Sequence, residues 1–175
     1  MTTHIDGALT PTSDGTALRR AYSCFPTGVV AVCRQDGDQS IGLAASSFAT
    51  VSLDPPLVSL CVQNESTTWP KLRNAPVIGV SVFAHDQDAE CKQLAGPAER
   101  RFTGLALDTT DDGALFIGGA VAQLSCTIYN EIPAGDHSLV LLKVNALRAD
   151  PVHEPLVFHA STFRALESKP ATTPR

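Results

Sequence analysis

Short apolar runs separated by glycine- and proline-containing turns constrain the fold of this chain more than any other feature. The run at residues 29–34 is rich in β-branched side chains, and Asp36 and Gly37 follow it as a hairpin signal, because Gly adopts a positive φ without steric cost. Similar runs recur at short spacing, which is typical of an antiparallel sheet that closes into a barrel. We therefore predict a mainly β fold, a β-barrel with a few short helices.

The predicted elements are strands with only occasional helices between them. We predict six to eight strands, drawn from the segments 29–34, 39–48, 57–62, 77–83, 120–129, 138–148, 156–159 and 163–166. Helical spacing and helix-start signals predict short helices at 16–24, 66–74 and 86–94, whereas the Asp-rich segment 100–118 is predicted to be a loop. This is too little helix for a doubly wound parallel sheet, and no Gly-x-Gly-x-x-Gly motif follows the first strand.

Length and composition indicate one domain with its own core. A chain of 175 residues suits one domain, which we place at 16–167 between flexible ends at 1–15 and 168–175. The net charge of −5 argues against a nucleic-acid binder, and no apolar run is long enough to cross a membrane. The five cysteines form no Cys-x-x-Cys pair, so we expect neither a disulfide framework nor a metal site. Because no signal peptide is apparent either, the cytoplasm is the expected compartment.

Two alanines and two serines stand where the second predicted strand ends. Adjacent side chains on a strand point to opposite faces, so one of Ser46 and Ser47 can face a ligand while the other faces the frame. The small side chains of Ala44 and Ala45 let a flat ring approach the backbone. The alternative interpretation is a strand end whose hydroxyls are solvated.

A second polar segment, residues 61–69, joins a strand to a predicted helix. Its Ser66, Thr67 and Thr68 stand where hydroxyls and the free N–H groups of a helix N-terminus bind phosphate. An ordinary helix cap without a ligand is the alternative. Trp69 is either a ring platform or a core residue, and the core is its expected place.

Two further segments carry charge. Arg100 and Arg101 are the densest cations in the middle of the chain, and arginine binds phosphate through paired hydrogen bonds. A solvated loop that pairs with nearby aspartates is the alternative. His137 follows Gly135 and Asp136, and histidine is the side chain that titrates nearest neutral pH. The alternative there is a turn whose aspartate accepts backbone N–H groups and whose histidine starts a strand.

Taken together, these segments resemble the flavin reductase family, the reductase partners of two-component flavin-dependent monooxygenases. The match runs in order over roughly residues 18–166. It comprises Phe-Pro-Thr-Gly-Val at 25–29, Gly-Leu-Ala-Ala-Ser-Ser-Phe at 42–48, Val-Ser-Leu-Asp-Pro-Pro-Leu-Val at 51–58, Ser-Thr-Thr-Trp at 66–69, Arg-Phe at 101–102, Ala-Val-Ala-Gln-Leu-Ser-Cys at 120–126, Gly-Asp-His at 135–137 and Pro-Leu-Val-Phe at 155–158. The phrase Ser-Leu-Asp-Pro-Pro-Leu, followed downstream by Gly-Asp-His, is the most specific part.

The resemblance implies an FMN-binding split barrel of Greek-key type, usually a homodimer, with FMN or FAD held in the groove between subunits. It implies an oxidoreductase that takes hydride from NADH or NADPH to reduce flavin. A flavin-dependent monooxygenase would then be the partner that receives the reduced flavin. Flavin and nicotinamide nucleotides are the implied small-molecule partners.

The resemblance also implies which residues form the site. The cofactor-binding residues are Thr27, Ala44, Ala45, Ser46, Ser47, Cys61, Val62, Gln63, Ser66, Thr67, Thr68, Arg101 and Phe102. Those from 27 to 47 contact the ring edge and ribityl chain, those from 61 to 68 form the ribityl and phosphate wall, and Arg101 is the phosphate cation. His137 is the catalytic residue beside the flavin ring and nicotinamide, and Phe163 stacks in the nicotinamide region.

One departure from the family pattern bears on the cofactor. Many relatives carry Asn or Thr where this chain has Ser46, which has a hydroxyl but no amide, so the choice between FMN and FAD stays open. Two alternative functions also stay open: a split-barrel flavoprotein with another redox role, and a flavin- or heme-binding module without turnover. The module would show a bound chromophore that NADH does not bleach.

Overall fold

The computed structural model describes residues 13–167, and in this range three α-helices and twelve strands form. The helices are α1 (Gly15–Tyr22), α2 (Trp69–Arg73) and α3 (Asp88–Leu94), and a 3-10 turn covers Ala98–Arg100. The strands β1 to β12 are, in order, Thr27–Gly28, Val30–Asp36, Gln39–Ala45, Ala49–Leu53, Pro56–Gln63, Ile78–Val82, Leu107–Thr109, Leu115–Ile117, Ala122–Ala134, His137–Ala149, Val157–His159 and Thr162–Arg164. None of the three helices has the length and apolar character needed to span a bilayer.

Seven strands form one antiparallel sheet in the order β3-β2-β6-β9-β10-β5-β4. β3 and β4 are the two edges of this sheet, yet only residues 46–48 separate them in the chain. The link from Ala45 to Ala49 spans at most about 14 Å, whereas the edges of a flat seven-stranded sheet lie about 29 Å apart. The sheet must therefore curl into a barrel, and we call the line where the end of β3 faces the end of β5 the seam.

Alternate side chains of β2 enter two different cores. Val30 and Val32 belong to the core that also contains Leu60, Ile78 and Leu142. Their neighbours in the chain belong to a second core, formed by Val29, Ala31, Cys33, Phe83, Cys91, Leu94, Leu115, Ile117 and Leu156. Because both of its faces are covered, β2 is a continuous apolar run in the sequence rather than an alternating one.

Two smaller sheets complete the fold. β1, β11 and β12 form one in the order β1-β11-β12, and β7 pairs with β8 in a hairpin. β8 crosses close to β6, since a Cβ on Gly79 would collide with the main chain of Leu115. The prediction of a mainly β fold with a few short helices is confirmed.

Several predicted element boundaries are wrong for identifiable reasons. Segment 100–118, predicted to be a loop, contains the β7–β8 hairpin, whose strands have only three residues each. β4 has no predicted counterpart, although Ala49–Leu53 alternates apolar with polar side chains, because no glycine or proline separates it from the strand predicted at 39–48. With these strands and β1, the count exceeds the predicted six to eight.

Two predicted helix limits differ from the observed ones, and the predicted domain limits stay a prediction. Helix α1 begins at Gly15 instead of residue 16. The helix predicted at 66–74 occupies only Trp69–Arg73, because Ser66 stands in the turn before it and caps the Trp69 N–H. The predictions of flexibility for 1–12 and 168–175 lie outside the described residues.

Candidate functional site

The side chain of Ser47 closes the seam at one point. Its Oγ accepts a hydrogen bond from the Cys61 N–H at 2.8 Å and donates to the Cys61 carbonyl at 3.1 Å. Ser47 lies just after β3, and Cys61 lies near the end of β5. One hydroxyl thus bonds to both main-chain groups of Cys61, as a neighbouring strand would, and we call this contact the clasp. Ser47 is therefore the serine of the Ser46–Ser47 pair that faces the frame of the barrel.

Beside the clasp the seam opens into a cavity of about 370 Å³, which we call the seam cavity. Small-molecule sites typically have roughly 300–1,000 Å³. The lining consists of Leu43, Ala44, Ala45, Ser46, Ser47, Cys61, Val62, Gln63, Ser66 and His137. All of these except Leu43 belong to the predicted site, so the fold brings together in one cavity residues that lie up to 94 positions apart, from 43 to 137.

Main-chain groups without a strand partner border the seam cavity. Among the described strands, β3 pairs only with β2, and β5 continues to Gln63 beyond Ser59, where its pairing with β4 ends. Cys61 turns its N–H and C=O toward the seam. In an extended strand Gln63, two residues further on, turns its own in the same direction. Ser47 already bonds to both main-chain groups of Cys61, and the Ser66 N–H donates to the Gln63 carbonyl at 3.0 Å. The Gln63 N–H is therefore the main-chain donor of this strand end that the small side chains of β3 leave accessible.

His137, the first residue of β10, stands opposite Gln63 in the sheet. Its Nδ1 is 2.7 Å from Asp136 Oδ1, and the hydrogen bond to His137 lowers the pKa of the Asp136 carboxyl. An ionised carboxylate cannot donate, so Nδ1 carries the proton and Nε2 is left for a ligand. Neutral histidine would accept a hydrogen bond there, and protonated histidine would donate one.

Asn64 holds the turn that carries His137, and the sequence offered no prediction for it. The Asn64 N–H donates to the Asp136 carbonyl at 3.0 Å, and its Nδ2 donates to the Gly135 carbonyl at 3.2 Å. Its Oδ1 accepts from Ser138 Oγ at 3.3 Å. Gly135 has a φ of +69° at this turn, a conformation that favours glycine. Its position directly after the predicted wall was the available signal.

In the segment before α2, one hydroxyl makes a hydrogen bond within the protein and another is exposed. Ser66 Oγ, which lines the seam cavity, accepts from the Trp69 N–H at 3.1 Å, and Thr67 is exposed. Trp69 is buried, and its Nε1 donates to Glu131 at 3.2 Å. The expectation that Trp69 belongs to the core is confirmed.

Arg101 and Phe102 line a separate small cavity that also includes Thr68. Arg101 Nη1 donates to the Gly42 carbonyl at 2.7 Å and to Thr68 Oγ1 at 2.8 Å, while its Nε donates to the Gly96 carbonyl at 2.9 Å. Gly42 is required here, because a Cβ would approach the Phe102 ring to 2.8 Å. Arg101 therefore ties β3 to the segment before α2, and the predicted cofactor contacts of Arg101, Phe102, Thr67 and Thr68 stay predictions.

A cavity of about 400 Å³ adjoins the seam cavity through Ala44, Ala45 and Ser46. We call it the aromatic cavity, because Phe158 and Phe163 line it. Their ring centroids are 5.3 Å apart. Phe163, predicted for the nicotinamide region, thus lies in a cavity that shares a wall with the candidate flavin site.

A second adjoining cavity has about 630 Å³ and shares Ser46 and Ser47 with the seam cavity. We call it the helix cavity, because Arg19 and Tyr22 of α1 line it together with Thr27. Ser46 borders all three cavities. Thr27, predicted to contact the ring edge, is therefore one cavity away from the main lining.

The cysteines behave differently inside and outside the site. Burial raises the pKa of the Cys91 thiol to about 11 and that of Cys126 to about 12, and it raises the pKa of Cys33 further still. These three are core side chains. Cys61, predicted to bind the cofactor, is only half-buried and lines the seam cavity. Within residues 13–167, no three His, Cys, Asp or Glu side chains gather into a group that could hold a metal ion.

Comparison with known proteins gives consistent matches over nearly the whole chain. The family model described as "Flavin reductase like domain" matches residues 22–167. A flavin reductase of Pseudomonas putida is 38% identical over 147 residues, which are 83% of this chain and 86% of that protein. The reductase component of 4-hydroxyphenylacetate 3-monooxygenase from Thermus thermophilus is 32% identical over 150 residues, 86% of this chain and 95% of that one.

A solved structure also matches this chain in fold over most of its length. The NADH:FAD oxidoreductase of Streptomyces globisporus C-1027, solved in complex with NAD and FAD fragments, superposes with a TM-score of 0.85. It is 33% identical in sequence, and the match covers 92% of this chain and 98% of that one.

Proposed function

The chain belongs to the flavin reductase-like family, and from that premise we propose that it is an NADH-dependent flavin reductase that supplies reduced flavin to a partner monooxygenase. The observation that carries this proposal is the seam cavity, where two strand ends that each lack a partner on one side meet small side chains and His137. The relatives named for NADH, for FAD and for a monooxygenase support the donor, the flavin and the partner in turn.

The donors and acceptors of the seam cavity fit a flavin. An isoalloxazine ring carries N–H and C=O groups along one edge, and the Gln63 N–H, the Ser46 hydroxyl and the His137 ring are the donors and acceptors of the seam cavity that can meet them. Ala44 and Ala45 leave room for a planar ring against β3, and Ser46 supplies a hydroxyl at the rim. We assign the ring edge and ribityl contacts to these residues and to Thr27, with Cys61, Val62 and Gln63 as the opposite wall.

The bound flavin supplies the electron-accepting ring, which takes a hydride from the nicotinamide of NADH to give NAD⁺ and reduced flavin. The protein needs no nucleophile for this chemistry and contributes position instead. His137 lines the seam cavity, and the bond between its Nδ1 and Asp136 leaves Nε2 for the ligand. A protonated His137 would donate to negative charge that develops nearby.

We assign the flavin phosphate to the segment 66–68. Arg101, which bonds to Thr68, supplies positive charge beside this segment. Ser66 reaches the seam cavity directly, whereas Thr67 is exposed and Thr68 receives a hydrogen bond from Arg101. Arg101 thus adds positive charge behind hydroxyls that face the ligand. The Phe102 ring packs closely against Gly42, the residue whose carbonyl accepts a hydrogen bond from Arg101. Phe163, in the aromatic cavity, is assigned to the nicotinamide.

A homodimer is part of the proposal, and the edge strand β4 supports it. β4 ends the large sheet and exposes apolar side chains, with Val51 51% and Leu53 96% exposed. An edge strand with apolar side chains favours contact with another chain, and a second copy is the partner we assign. Light scattering on the purified chain tests this. We retain the cytoplasm as the compartment, which accords with the five free thiols.

The decisive experiment is anaerobic mixing of the protein and flavin with NADH, followed by absorption. We expect NADH oxidation with FMN or FAD and loss of the oxidised flavin band. NADPH in a parallel run identifies the preferred donor. A bound chromophore that NADH leaves unchanged would instead indicate a binding module. NADH oxidation that is no faster with the protein than with free flavin alone would indicate another redox role.

His137→Ala tests the assigned residue within that experiment. We expect flavin reduction to slow by about tenfold to a hundredfold, the loss expected for one hydrogen bond to a charged group, with a smaller change in flavin affinity. His153→Ala is the matched control, because His153 Nδ1 makes the same contact with Asp150 at 2.9 Å and lines none of the three cavities. Equal effects of the two substitutions would contradict the role of His137.

A further inference from the structure

The segment 95–106, which joins α3 to β7, carries Arg101 but has little regular structure of its own. Within these described residues the 3-10 turn Ala98–Arg100 is the one regular element. Glycines stand on both sides of Arg101, and Gly104 has a φ of +74°, a conformation that favours glycine. The position of Arg101 therefore depends on the bonds that this segment makes with the rest of the protein.

The side chain of Gln93, near the end of α3, supplies several of these bonds. Its Nε2 donates to the carbonyls of Arg100 at 2.9 Å, Arg101 at 3.3 Å and Thr103 at 2.9 Å. An amide nitrogen carries two hydrogens, so the three carbonyls share them, with the two shorter bonds dominant. One side chain thus holds the main chain on both sides of Arg101 as well as at Arg101 itself.

The helix that carries Gln93 is firmly packed. Cys91 and Leu94 of α3 are 3% and 0% exposed, and both belong to the second core. An exposed ion pair between Lys92 and Asp88 links successive turns of the same helix. Gln93 therefore connects an irregular segment to an element whose position the core determines.

Arg101 carries this position on to the segment assigned to the flavin phosphate. Its Nε donates to the Gly96 carbonyl at 2.9 Å, and its Nη1 donates to Thr68 Oγ1 at 2.8 Å. Among the described residues none bonds to its Nη2, so this nitrogen is left for an anion. Bonds this short tolerate little displacement, so a shift of the Arg101 main chain would move the guanidinium away from Thr68.

We propose that Gln93 is a positioning residue for the flavin phosphate, because its amide holds residues 100–103 where Arg101 meets Thr68. This rests on the proposed function, which assigns the phosphate to segment 66–68 and to Arg101. Gln93 lines neither the seam cavity nor the small cavity of Arg101. Its effect on the ligand therefore passes through Arg101.

The test compares FMN with riboflavin, which has the same ring and ribityl chain but no phosphate. Each is titrated into the full-length protein and followed by flavin fluorescence. Gln93→Met removes the donors at similar side-chain length and should raise Kd for FMN by about fivefold, the loss expected for about one hydrogen bond. Kd for riboflavin should change by no more than about twofold. Equal weakening of both flavins, or of neither, would overturn the proposal.

Gln93→Glu is a second variant of the same length. It places carboxylate oxygens against the three carbonyls, so it should weaken FMN at least as much as Gln93→Met does, again with little effect on riboflavin. If Gln93→Met does not fold, this variant decides the question. FMN binding that is unchanged in Gln93→Glu would contradict the proposal.

Gln87→Met is the matched control for general loss of stability. Gln87 directly precedes α3 and is 8% exposed, and its side chain bonds to the Gly118 carbonyl at 2.8 Å and the Ala84 N–H at 2.9 Å. The variant should lower the melting temperature but leave the ratio of FMN to riboflavin affinity unchanged. If this ratio falls as it does in Gln93→Met, it follows stability alone and the proposal is refuted.

A double-mutant cycle tests whether Gln93 acts through Arg101. Added to Arg101→Ala, Gln93→Met should weaken FMN binding by less than about twofold further, because residues that act as a unit are not additive. Fully additive losses would overturn the proposal. If the cycle behaves as expected but the protein does not oxidise NADH, the positioning role stands and the proposed function fails. If NADH is oxidised but the Gln93 variants bind FMN like the parent chain, the proposed function stands and the positioning role fails.

Discussion

The paired wall and the open seam of the barrel are built from similar strands but differ in what their main chains are bonded to. Along the wall, β2, β6, β9 and β10 each have strand partners on both sides, and side chains such as Leu142 are completely buried. Along the seam, the ends of β3 and β5 lack a partner strand on the side that faces the gap, and they carry small or polar side chains. The site therefore lies where the hydrogen-bond ladder stops, and the rest of the barrel holds that gap in place.

The largest expected effect comes from the wall. Leu142→Ala removes a fully buried side chain and should lower the free energy of unfolding by about 2–5 kcal/mol, as measured by urea titration. Ser46→Ala at the seam removes an exposed hydroxyl and should change it by no more than about 0.5 kcal/mol. If Leu142→Ala has the same free energy of unfolding as the parent chain, the buried core of the wall does not hold the gap between β3 and β5 in place.

The clasp gives an intermediate effect that sharpens the same contrast. Ser47→Ala deletes both hydrogen bonds to Cys61 and should cost about 1 kcal/mol of unfolding free energy, with weaker flavin binding because the seam is free to widen. Ser47→Thr keeps the hydroxyl and should restore both properties. If Ser46→Ala and Ser47→Ala have the same effect on stability, the two adjacent serines do not divide frame and ligand roles.

Asn64 should act on turnover more than on stability. Asn64→Ala removes the side-chain bonds to Gly135 and Ser138, so the turn that carries His137 loses its fixed position. We expect kcat to fall on the order of three- to tenfold with little change in flavin affinity. Asn145→Ala, which loses a similar exposed bond to Thr127 at 3.3 Å, is the control and should keep the parent kcat. A fall in flavin affinity without a fall in kcat would contradict the positioning role.

The wall was easier to predict from the sequence than the seam. Buried strands such as β2 and β6 stand in mainly apolar segments, and the hairpin turn at Gly37 follows from its need for a positive φ of +56°. β4 was missed although Ala49–Leu53 alternates apolar with polar side chains, because no glycine or proline separates it from the strand predicted at 39–48. The three-residue strands β7 and β8 escaped because their pairing is a tertiary contact within an Asp-rich segment.

The site residues and their roles were predicted from the resemblance, but the hydrogen bonds that they make within the protein were not. Neither spacing nor composition indicates that Ser47 bonds to Cys61, 14 positions away, or that Arg101 is engaged by Gly42 and Thr68. These contacts exist only once the sheet has curled and its edges have met. Asn64 was missed for the same reason, since its partners Gly135 and Ser138 lie more than 70 positions further along the chain.

The smallest effect concerns two exposed His–Asp pairs, one at the seam cavity and one away from it. The pKa values of Asp136 and Asp150 both lie below the ordinary 3.8, but the leading cause is the His137 hydrogen bond for Asp136 and the Val152 N–H for Asp150. A carboxyl whose pKa is lowered in the folded state adds stability that is complete above its unfolded pKa and lost as pH falls through the folded one.

Acid titration of the carboxyl carbons by NMR, below about pH 5, separates these two causes. His137→Ala should return the Asp136 pKa most of the way to its ordinary value, because the largest contribution is gone. His153→Ala should leave the Asp150 pKa lowered, because the Val152 N–H still donates to Oδ1 at 3.1 Å. Equal shifts in both carboxyls would mean that the Asp136–His137 pair is no different from a surface pair, and that His137 is not specially held for the seam cavity.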